Sequence, residues 1–214
     1  MKRLLLLAGL AAFFQSASAQ GYAGAIVALS NVGMDCLVPA VSCDRQARGG
    51  RIYVGTQLSE ASRINLGVGA IDGIEVGYMK FGRARSAGTA TSFIIADPAD
   101  PGADPVPVAV PATATAQADA LTVAVAAHFP VTDAFGLAAR IGAAYVSSTV
   151  KWTKEGRSTG SRTSNEIRPY LGLGLEYNIP DLIKLVGTYD WTQYSVDGQK
   201  GSATLLGLGV EKAF

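Results

Sequence analysis

The sequence has few charged residues, little cysteine or histidine, and no long hydrophobic run beyond its first residues. Charged residues make up 16% of the 214 positions, whereas a soluble domain carries roughly a quarter. Its 18 basic and 17 acidic residues leave no positive excess of the kind that binds nucleic acid. After residue 14 no stretch approaches the ~18 apolar residues of a membrane-spanning helix. These absences exclude nucleic-acid-binding proteins and helical membrane proteins.

Hydrophobic residues and glycine are abundant instead. Hydrophobic residues make up 49% of the chain, and 25 of its positions are glycine. In a chain without a spanning helix, this composition fits two β-rich architectures. One is a β-sandwich with an apolar surface, and the other is a barrel whose outside faces lipid. The periodicity of the side chains has to distinguish them.

The N-terminus has the features of an export signal. Two basic residues precede an apolar run over residues 4–14, and Ala17 and Ala19 supply the small side chains that signal peptidase requires. The run is shorter than the ~20 residues that span a bilayer. We therefore predict a signal peptide at residues 1–19, cleaved after Ala19, followed by a single domain at residues 20–214.

Apolar and polar or small residues alternate through the rest of the chain. In the C-terminal segment LLGLGVEKAF, Leu206, Leu208 and Val210 fall on one face of a strand, and glycines and Glu211 fall on the other. The same division recurs in IEVGYMKF, ALTVAVAAHF, GLAARIGAAYVS, IRPYLGLGLEYN and LVGTYDWTQY.

Two features favour a membrane barrel over a sandwich. The polar face is rich in glycine and carries isolated charges of both signs, which suits a narrow interior better than a solvated sheet. Aromatic residues also lie near the strand ends, as the interfacial girdles of a barrel require; they are Tyr145, Tyr177, Trp191 and Phe214. Backbone in hydrocarbon must satisfy its own hydrogen bonds, so such strands have to close into a ring.

The pattern thus predicts an all-β fold, a closed antiparallel eight-stranded transmembrane β-barrel. The predicted strands are residues 21–30, 50–58, 72–82, 119–129, 136–149, 166–179, 184–196 and 202–214. From a periplasmic N-terminus, long external connectors (31–49, 83–118, 150–165) alternate with short periplasmic ones (130–135, 180–183). Two connectors depart from this parity: 197–201 is a short external loop, and 59–71 is too long for a periplasmic turn, which leaves the ends of the second and third strands open.

The connector at 83–118 contains the segment DPADPGADPVPVAVP. Proline fixes φ and removes a backbone donor, so we predict an extended, mobile loop here. Its role is either that of a contact surface for a host or partner, or that of a tolerated insertion.

These strand segments resemble the OmpA-type family of eight-stranded outer-membrane barrels. The matching pieces, in order, are GYAGAIVALS, IEVGYMKFGRA, HFPVTDAFGLAARIGAAYVSS, RPYLGLGLEYNI and LLGLGVEKAF. The resemblance implies a Gram-negative outer-membrane location and a terminal aromatic that the barrel-assembly machinery reads, and Phe214 occupies that place. It extends only over the barrel, so we expect a single-domain form without the peptidoglycan-binding domain of longer relatives.

Cys36 and Cys43 both fall in the first external connector. In an oxidising exported compartment a close pair of cysteines predicts a disulfide. The ring is short, so its stabilisation should be only about 2 kcal/mol and local to the loop. Redox chemistry or metal binding is the alternative, but no histidine is nearby and the spacing is not CxxC.

A set of charged residues is predicted to point into the lumen: Glu75, Arg140, Arg168, Glu176, Asp190 and Glu211. Charges in so narrow a space must be paired or hydrated. They form either a salt-bridge ladder that plugs the barrel or the lining of a gated ion path. Eight strands leave room only for side chains, which favours the plug.

The sequence offers little for catalysis or cofactor binding. Some small outer-membrane barrels are lipid-modifying hydrolases that use a serine, a histidine and a carboxylate. His128, the single histidine, lies before a predicted periplasmic turn with no serine within two residues. The glycines at 172, 174, 207 and 209 have strand spacing and form no phosphate-binding fingerprint. We therefore expect no enzyme, no catalytic, cofactor-binding or metal site, and no cofactor.

Three classes of function follow from the sequence. The favoured one is a structural or surface-interaction barrel that supports the envelope and exposes its loops. The alternatives are a narrow pore for ions or small solutes and, less favoured, a lipid-modifying enzyme. The expected partners are outer-membrane lipids and lipopolysaccharide, the barrel-assembly machinery during insertion, and a surface ligand or host contact at the loops, with no nucleic acid. We expect the barrel to be a monomer.

Overall fold

The structure is a computed structural model, and it describes residues 20–33, 36, 40–95, 104–180, 183–196 and 199–214. Within these ranges no helix has the length and apolar character needed to cross a bilayer. The predicted signal peptide at 1–19 and its cleavage site at Ala19 lie outside the described residues.

The described part of the chain folds as one antiparallel sheet. Its strands are β1 (Gly21–Val32), β2 (Ala40–Asp44), β3 (Gln46–Gln57), β4 (Ile64–Asn65), β5 (Ala70–Ile95), β6 (Pro105–Pro130), β7 (Phe135–Lys154), β8 (Arg157–Ile179), β9 (Ile183–Val196) and β10 (Gln199–Ala213).

Eight of these strands form a closed ring. The order is β5-β3-β1-β10-β9-β8-β7-β6, and β6 pairs back to β5. The first and last strands of the ring meet along most of their length, for example at Gly24 opposite Glu211. Closure leaves no unpaired strand edge in the barrel wall. The prediction of an eight-stranded closed antiparallel barrel is confirmed, and each predicted strand lies within or largely within one of these eight.

The side chains divide between the two faces of the wall as alternation predicts. Leu206, Leu208 and Val210 are 63%, 72% and 43% exposed on the outside. Glu211, which follows Val210 and therefore points to the opposite face, is buried inside. The barrel therefore has an apolar outer surface, as a lipid-facing wall requires.

The prediction of a loop at residues 83–118 is wrong for most of this segment. Residues 83–95 continue β5 and residues 105–118 continue β6, and the two remain paired to Ile95 opposite Pro105. Each strand has 26 residues, which is about 85 Å of chain at ~3.3 Å per residue. This hairpin therefore projects beyond the hydrocarbon layer, which is ~30 Å thick. Residues 96–103, at its tip, lie outside the described residues.

The prolines fit this hairpin because of the side to which they point. The backbone N of Glu155 donates to the carbonyl oxygen of Pro111 at 2.9 Å, so the odd-numbered residues here direct their backbone groups toward β7. Pairing of β6 with β7 begins at Ala112. Pro105 and Pro107 share this parity and lie beyond the end of β7. Their missing N–H groups therefore cost no ladder hydrogen bond.

The prediction of a loop at residues 150–165 is also wrong. β7 and β8 remain paired to Lys154 opposite Arg157. They are joined by Glu155 and Gly156, whose φ angles of 52° and 74° are both positive. Positive φ at both central residues is the geometry of a tight hairpin turn that matches the twist of its strands. A second hairpin thus projects on the same side as the first.

At the opposite end of the barrel the connections are short, except for one. Residues 131–134 join β6 to β7. The longer segment between β3 and β5 contains a turn of 3-10 helix (Glu60–Ser62) and the two-residue strand β4, which pairs with the start of β5. We call this the turn end of the barrel and the other the hairpin end.

Candidate functional site

The interior of the barrel is the site at which sequence and structure place most of the chemistry. Four charged side chains from four strands meet at its centre. Arg51 Nη2 lies 2.6 Å from Glu75 Oε2, and Arg51 Nη1 lies 3.1 Å from Asp190 Oδ1. Arg140 Nε lies 2.8 Å from the same Glu75 oxygen. We call Arg51, Glu75, Arg140 and Asp190 the central cluster.

Tyrosine side chains complete the central cluster. Tyr22 donates its hydroxyl hydrogen to Glu75 Oε1 at 3.1 Å, and Tyr170 donates to Asp190 Oδ1 at 2.5 Å. The guanidinium of Arg51 lies 4.5 Å from the centroid of the Tyr53 ring. Each charge therefore keeps an oppositely charged or hydrogen-bonding neighbour, which offsets the cost of removing it from water.

The central cluster is electrically balanced and inaccessible to water. It holds two guanidinium groups and two carboxylates, and none of the four residues is more than 2% exposed. Removing one partner of such a buried pair is strongly destabilising because it leaves an uncompensated charge. The cluster thus ties β3, β5, β7 and β9 together across the lumen.

A second cluster of charges lies toward the turn end. Lys184 Nζ bridges Glu176 Oε2 at 3.0 Å and Glu211 Oε1 at 2.9 Å. Tyr53 donates its hydroxyl hydrogen to Glu211 Oε2 at 2.8 Å. Since Tyr53 also stacks with Arg51, this turn-end cluster and the central cluster are in contact.

His128 belongs to the turn-end cluster as well. Its Nδ1 lies 2.5 Å from Asp72 Oδ1, and its Nε2 lies 3.5 Å from Glu176 Oε1. Both ring nitrogens therefore face carboxylates, one on the adjacent strand β5 and one on β8, two strands away. Arg63, Lys184 and these residues border a cavity of about 480 Å³ that opens at the turn end.

Toward the hairpin end most of the buried side chains are apolar, with a few hydroxyls such as those of Ser30 and Ser148 among them. One cluster of buried side chains fills this half of the lumen, and it includes Val32, Met79, Phe81, Val146, Tyr194 and Leu205 together with small alanines. Met79 and Phe81 follow Glu75 on the same inward face of β5. Ionic and apolar layers therefore lie one above the other along the barrel axis.

Five of the six predicted lumen charges lie inside the barrel and buried; they are Glu75, Arg140, Glu176, Asp190 and Glu211. Arg168 does not join them. It pairs with Glu166, two residues away on its own strand, and its side chain remains 22% exposed. Pairing of β8 with β9 stops at Tyr170 opposite Thr192, so Arg168 lies beyond the closed part of the wall, in the projecting hairpin.

The sequence reasoning missed Arg51, Lys184 and Asp72. A signal for the first two was present in the alternation. Arg51 is in phase with Tyr53 on β3, and Lys184 is in phase with Val186 and Asp190 on β9. Asp72 lies in the segment whose strand ends the pattern left open.

The two cysteines form a disulfide, as predicted. Cys36 and Cys43 are joined with a Cα–Cα distance of 5.8 Å. Cys43 lies in β2, opposite Ser86 of the projecting part of β5. The bond therefore braces the first loop at the hairpin end. Phe214 lies at the turn end with its side chain 75% exposed, and its backbone exchanges two hydrogen bonds with Gly21.

In the described part of the chain, no group of three or more histidine, cysteine, aspartate or glutamate side chains is arranged to hold a metal ion.

Comparison with known proteins identifies relatives of the fold. The family described as "OmpA-like transmembrane domain" matches residues 16–212. The solved structures that resemble the chain include Ail, the attachment invasion locus protein of Yersinia pestis. The two are 15% identical with a TM-score of 0.50, over 92% of this chain and 100% of Ail.

Two further solved structures are more distant. Neisserial surface protein A (NspA) is 12% identical with a TM-score of 0.47, over 92% of this chain and 100% of NspA. The outer membrane protease OmpT from Escherichia coli is 9% identical with a TM-score of 0.43, over 94% and 99%. No curated protein sequence matches the chain.

Proposed function

Because this chain belongs to the OmpA-like transmembrane domain family, we propose that it is a closed barrel of the outer membrane that presents a rigid β-sheet at the cell surface. In this proposal its role is one of envelope integrity and surface interaction, not of solute passage. The Gram-negative outer-membrane location follows from the family and the fold.

The observation that carries the proposal is the double closure of the lumen. The central cluster fills the middle of the barrel with paired charges, and the apolar cluster around Met79, Phe81 and Leu205 fills the half above it. An ion that crosses would have to separate buried ion pairs and then pass a mainly apolar layer, in which the hydroxyl of Ser30 already donates to backbone carbonyls. This arrangement disfavours the narrow pore, which is the second candidate function.

A surface role is supported by the two hairpins beyond the barrel. From Arg157 to Pro169, β8 pairs with β7 and has no register partner in β9. A strand edge that extends past the register pairs of its neighbour is where a sheet accepts another chain. The disulfide loop and β2 lie against the other hairpin through β5. Together these elements form a braced sheet suited to partner contact.

Planar-bilayer recording tests the closed barrel. The wild-type protein is expected to give no stable single-channel steps. A variant that removes both layers, Glu75→Ser and Arg140→Ser with Met79→Ser and Phe81→Ser, is the matched opening control, and its folding is checked by heat-modifiable gel migration. Stable wild-type conductance steps would refute the closed barrel in favour of the pore.

The orientation has a separate test, since the hairpin end is proposed to face outward. The native cysteines are joined, so a single introduced cysteine is the only free thiol. Ser161→Cys at the hairpin end should react with a membrane-impermeant maleimide on intact cells. Asp133→Cys in the opposite turn should react only after the outer membrane is opened. The reverse pattern would overturn the orientation.

Processing and catalysis complete the proposal. We propose that residues 1–19 form the signal peptide, so the intact mass of the mature protein should correspond to a chain that begins at Gln20. We also propose that the barrel has no catalytic activity and is monomeric, with His128 serving to join strands. Acyl-chain analysis of lipopolysaccharide with and without the protein tests for lipid modification.

A further inference from the structure

The outer surface of β5, β6, β7 and β8 changes character at one row of residues. Tyr78, Leu121, Tyr145 and Ile167 are opposite one another in register and are 43–75% exposed. Toward the turn end, the outward-facing residues of these strands are apolar. Toward the hairpin end, the next three rows hold no apolar side chain. The row therefore marks the boundary between hydrocarbon and head groups, as interfacial aromatics do.

Basic side chains occupy the first rows above this boundary. Lys80, Arg83 and Arg85 follow one another on the outward face of β5, and Lys151 lies level with Arg85 on β7. Arg83 and Arg85, two apart on a strand, are about 6.7 Å apart, and β5 and β7 are two strand spacings, about 10 Å, apart. A register shift between Lys80 and Arg83 keeps both of these side chains on the outward face. Between Arg85 and Lys151 lies the hydroxyl of Thr115. We call Lys80, Arg83, Arg85 and Lys151 the basic band.

Carboxylates lie beside two members of the basic band, but the described chain forms no ion pair with the band. None of its four side chains forms an ion pair with a described carboxylate. Asp119 lies opposite Lys80 and accepts a hydrogen bond from Gln117 at 3.2 Å. Asp44 of β2 lies opposite Arg85 and accepts a hydrogen bond from the backbone N of Gln46 at 3.0 Å. On the other side of the barrel, the outward residues Asn31, Gln193 and Thr204 at this end of β1, β9 and β10 carry no charge, and Lys200 of β10 is a single basic residue beyond them.

We propose that the basic band is a binding site for the phosphates of lipid A in the outer leaflet of the membrane. Acyl chains of the same lipid would lie on the apolar surface below the boundary row. Arginine and lysine form charge-assisted hydrogen bonds with phosphate, and hydroxyls such as that of Thr115 add neutral ones. A ligand with phosphates directly above its acyl chains matches both halves of this surface. The proposal rests on the orientation proposed above, which the maleimide experiment tests independently.

Lipid A retention in phosphatidylethanolamine nanodiscs, measured by native mass spectrometry, tests the site. The probes are lipid A with its phosphates and lipid A from which they have been removed. The wild-type barrel is expected to retain the phosphorylated form about tenfold better, because each phosphate contact is charge-assisted. Equal retention of the two forms by the wild-type barrel would overturn the proposal without any variant.

The residues are tested by two matched triple variants that remove the same charge. Arg83→Gln, Arg85→Gln and Lys151→Gln together should abolish the preference for phosphates. Arg63→Gln, Arg157→Gln and Lys200→Gln, which lie at the turn end, at a hairpin tip and on the far side, should retain it. The proposal fails if the first variant binds like the wild type or if both variants lose binding equally. It also fails if a soluble sulfated polysaccharide occupies the band while lipid A does not.

Discussion

Glu75 accepts more side-chain hydrogen bonds than the other carboxylates of the central cluster and the turn-end cluster. Its two carboxylate oxygens accept from Arg51, Arg140 and Tyr22, which come from three other strands. Glu75 is 1% exposed, so water cannot replace a lost partner. A neutral side chain at this position would leave two buried guanidinium groups with Asp190 as their only carboxylate in the central cluster.

We therefore predict that Glu75→Gln lowers the free energy of unfolding by about 3–5 kcal/mol, because it leaves buried charge uncompensated. Glu60→Gln is the control, since Glu60 is exposed in the turn-end loop and such changes stay within about 0.5 kcal/mol. Urea titration of the lipid-embedded barrel, followed by heat-modifiable migration, measures both. Equal free energies of unfolding for the two variants would contradict the stabilising role assigned to Glu75.

At the residue scale, sequence reasoning found the buried charges by phase and failed where phase was not sufficient. Glu176 and Asp190 were identifiable because each sits among small or polar residues on the inward side of a strand. Arg168 has the same parity as Tyr170, yet it lies above the last β8–β9 pair and meets Glu166 instead. Alternation predicts whether a side chain points inward or outward. It does not predict whether the strand is paired on both sides at that position along the barrel axis. Partners across the lumen, such as Arg51 for Glu75, depend on three-dimensional closure and leave no local pattern.

At the scale of elements, the disulfide loop packs on the projecting part of β5. Among the described residues, the register pairs of β2 are the four with β5 from Ala40 to Asp44. This contact lies in the projecting hairpin and not in the barrel wall. Opening of the loop is therefore expected to be a local event.

We predict that Cys36→Ser with Cys43→Ser leaves the thermal midpoint of heat-modifiable migration unchanged. The same double variant should be cut faster by protease added to intact cells, because a ring this short contributes about 2 kcal/mol to loop order. Wild-type protein treated with reductant serves as the control and should behave like the variant. A clear fall of the barrel midpoint would show that the loop supports the wall.

The projecting hairpins are the elements that the sequence concealed. Five prolines between residues 98 and 111 predict an interrupted chain. Which side a proline's missing donor faces depends on the neighbouring strand, and β7 ends before Pro107 is reached. The turn at Glu155 and Gly156 was hidden in polar residues that are typical of loops. Both errors arise because a strand outside the lipid layer need not alternate apolar and polar side chains. Its sequence can therefore look like that of a loop.

At the scale of the whole molecule, Phe214 bears on assembly. It follows β10 and pairs with Gly21, where the first and last strands of the ring meet, and its ring is exposed. It makes little contribution to the packed interior. Its role is therefore expected to lie in insertion and not in the stability of the finished barrel.

We predict that Phe214→Ala reduces the amount of heat-modifiable protein in the outer membrane several-fold while barrels that do form keep the wild-type midpoint. Phe93→Ala is the matched control, because Phe93 is similarly exposed, at 68%, but lies in a projecting hairpin. Membrane fractionation with gel migration provides the measurement. An equal effect of the two substitutions would assign Phe214 no special part in assembly.

The eight-membered ring as a whole was predictable, because a lipid-facing wall enforces strict alternation and leaves few ways to satisfy the backbone. The layered filling of its interior was not. Glycine and alanine on the inward face predict a narrow lumen, but whether a given height holds ion pairs or methyl groups is decided by residues from several strands together.

The unbroken passage of β5 and β6 from the wall into the projecting hairpin has a mechanical consequence. A pull at the tip acts along the strands, whereas the ladder hydrogen bonds to β3 and β7 lie across them. Such a load is shared by many bonds in shear, and they cannot open one after another. If a particle or cell bound there is pulled away, its contacts with the hairpin should therefore break before β5 and β6 are pulled out of the barrel.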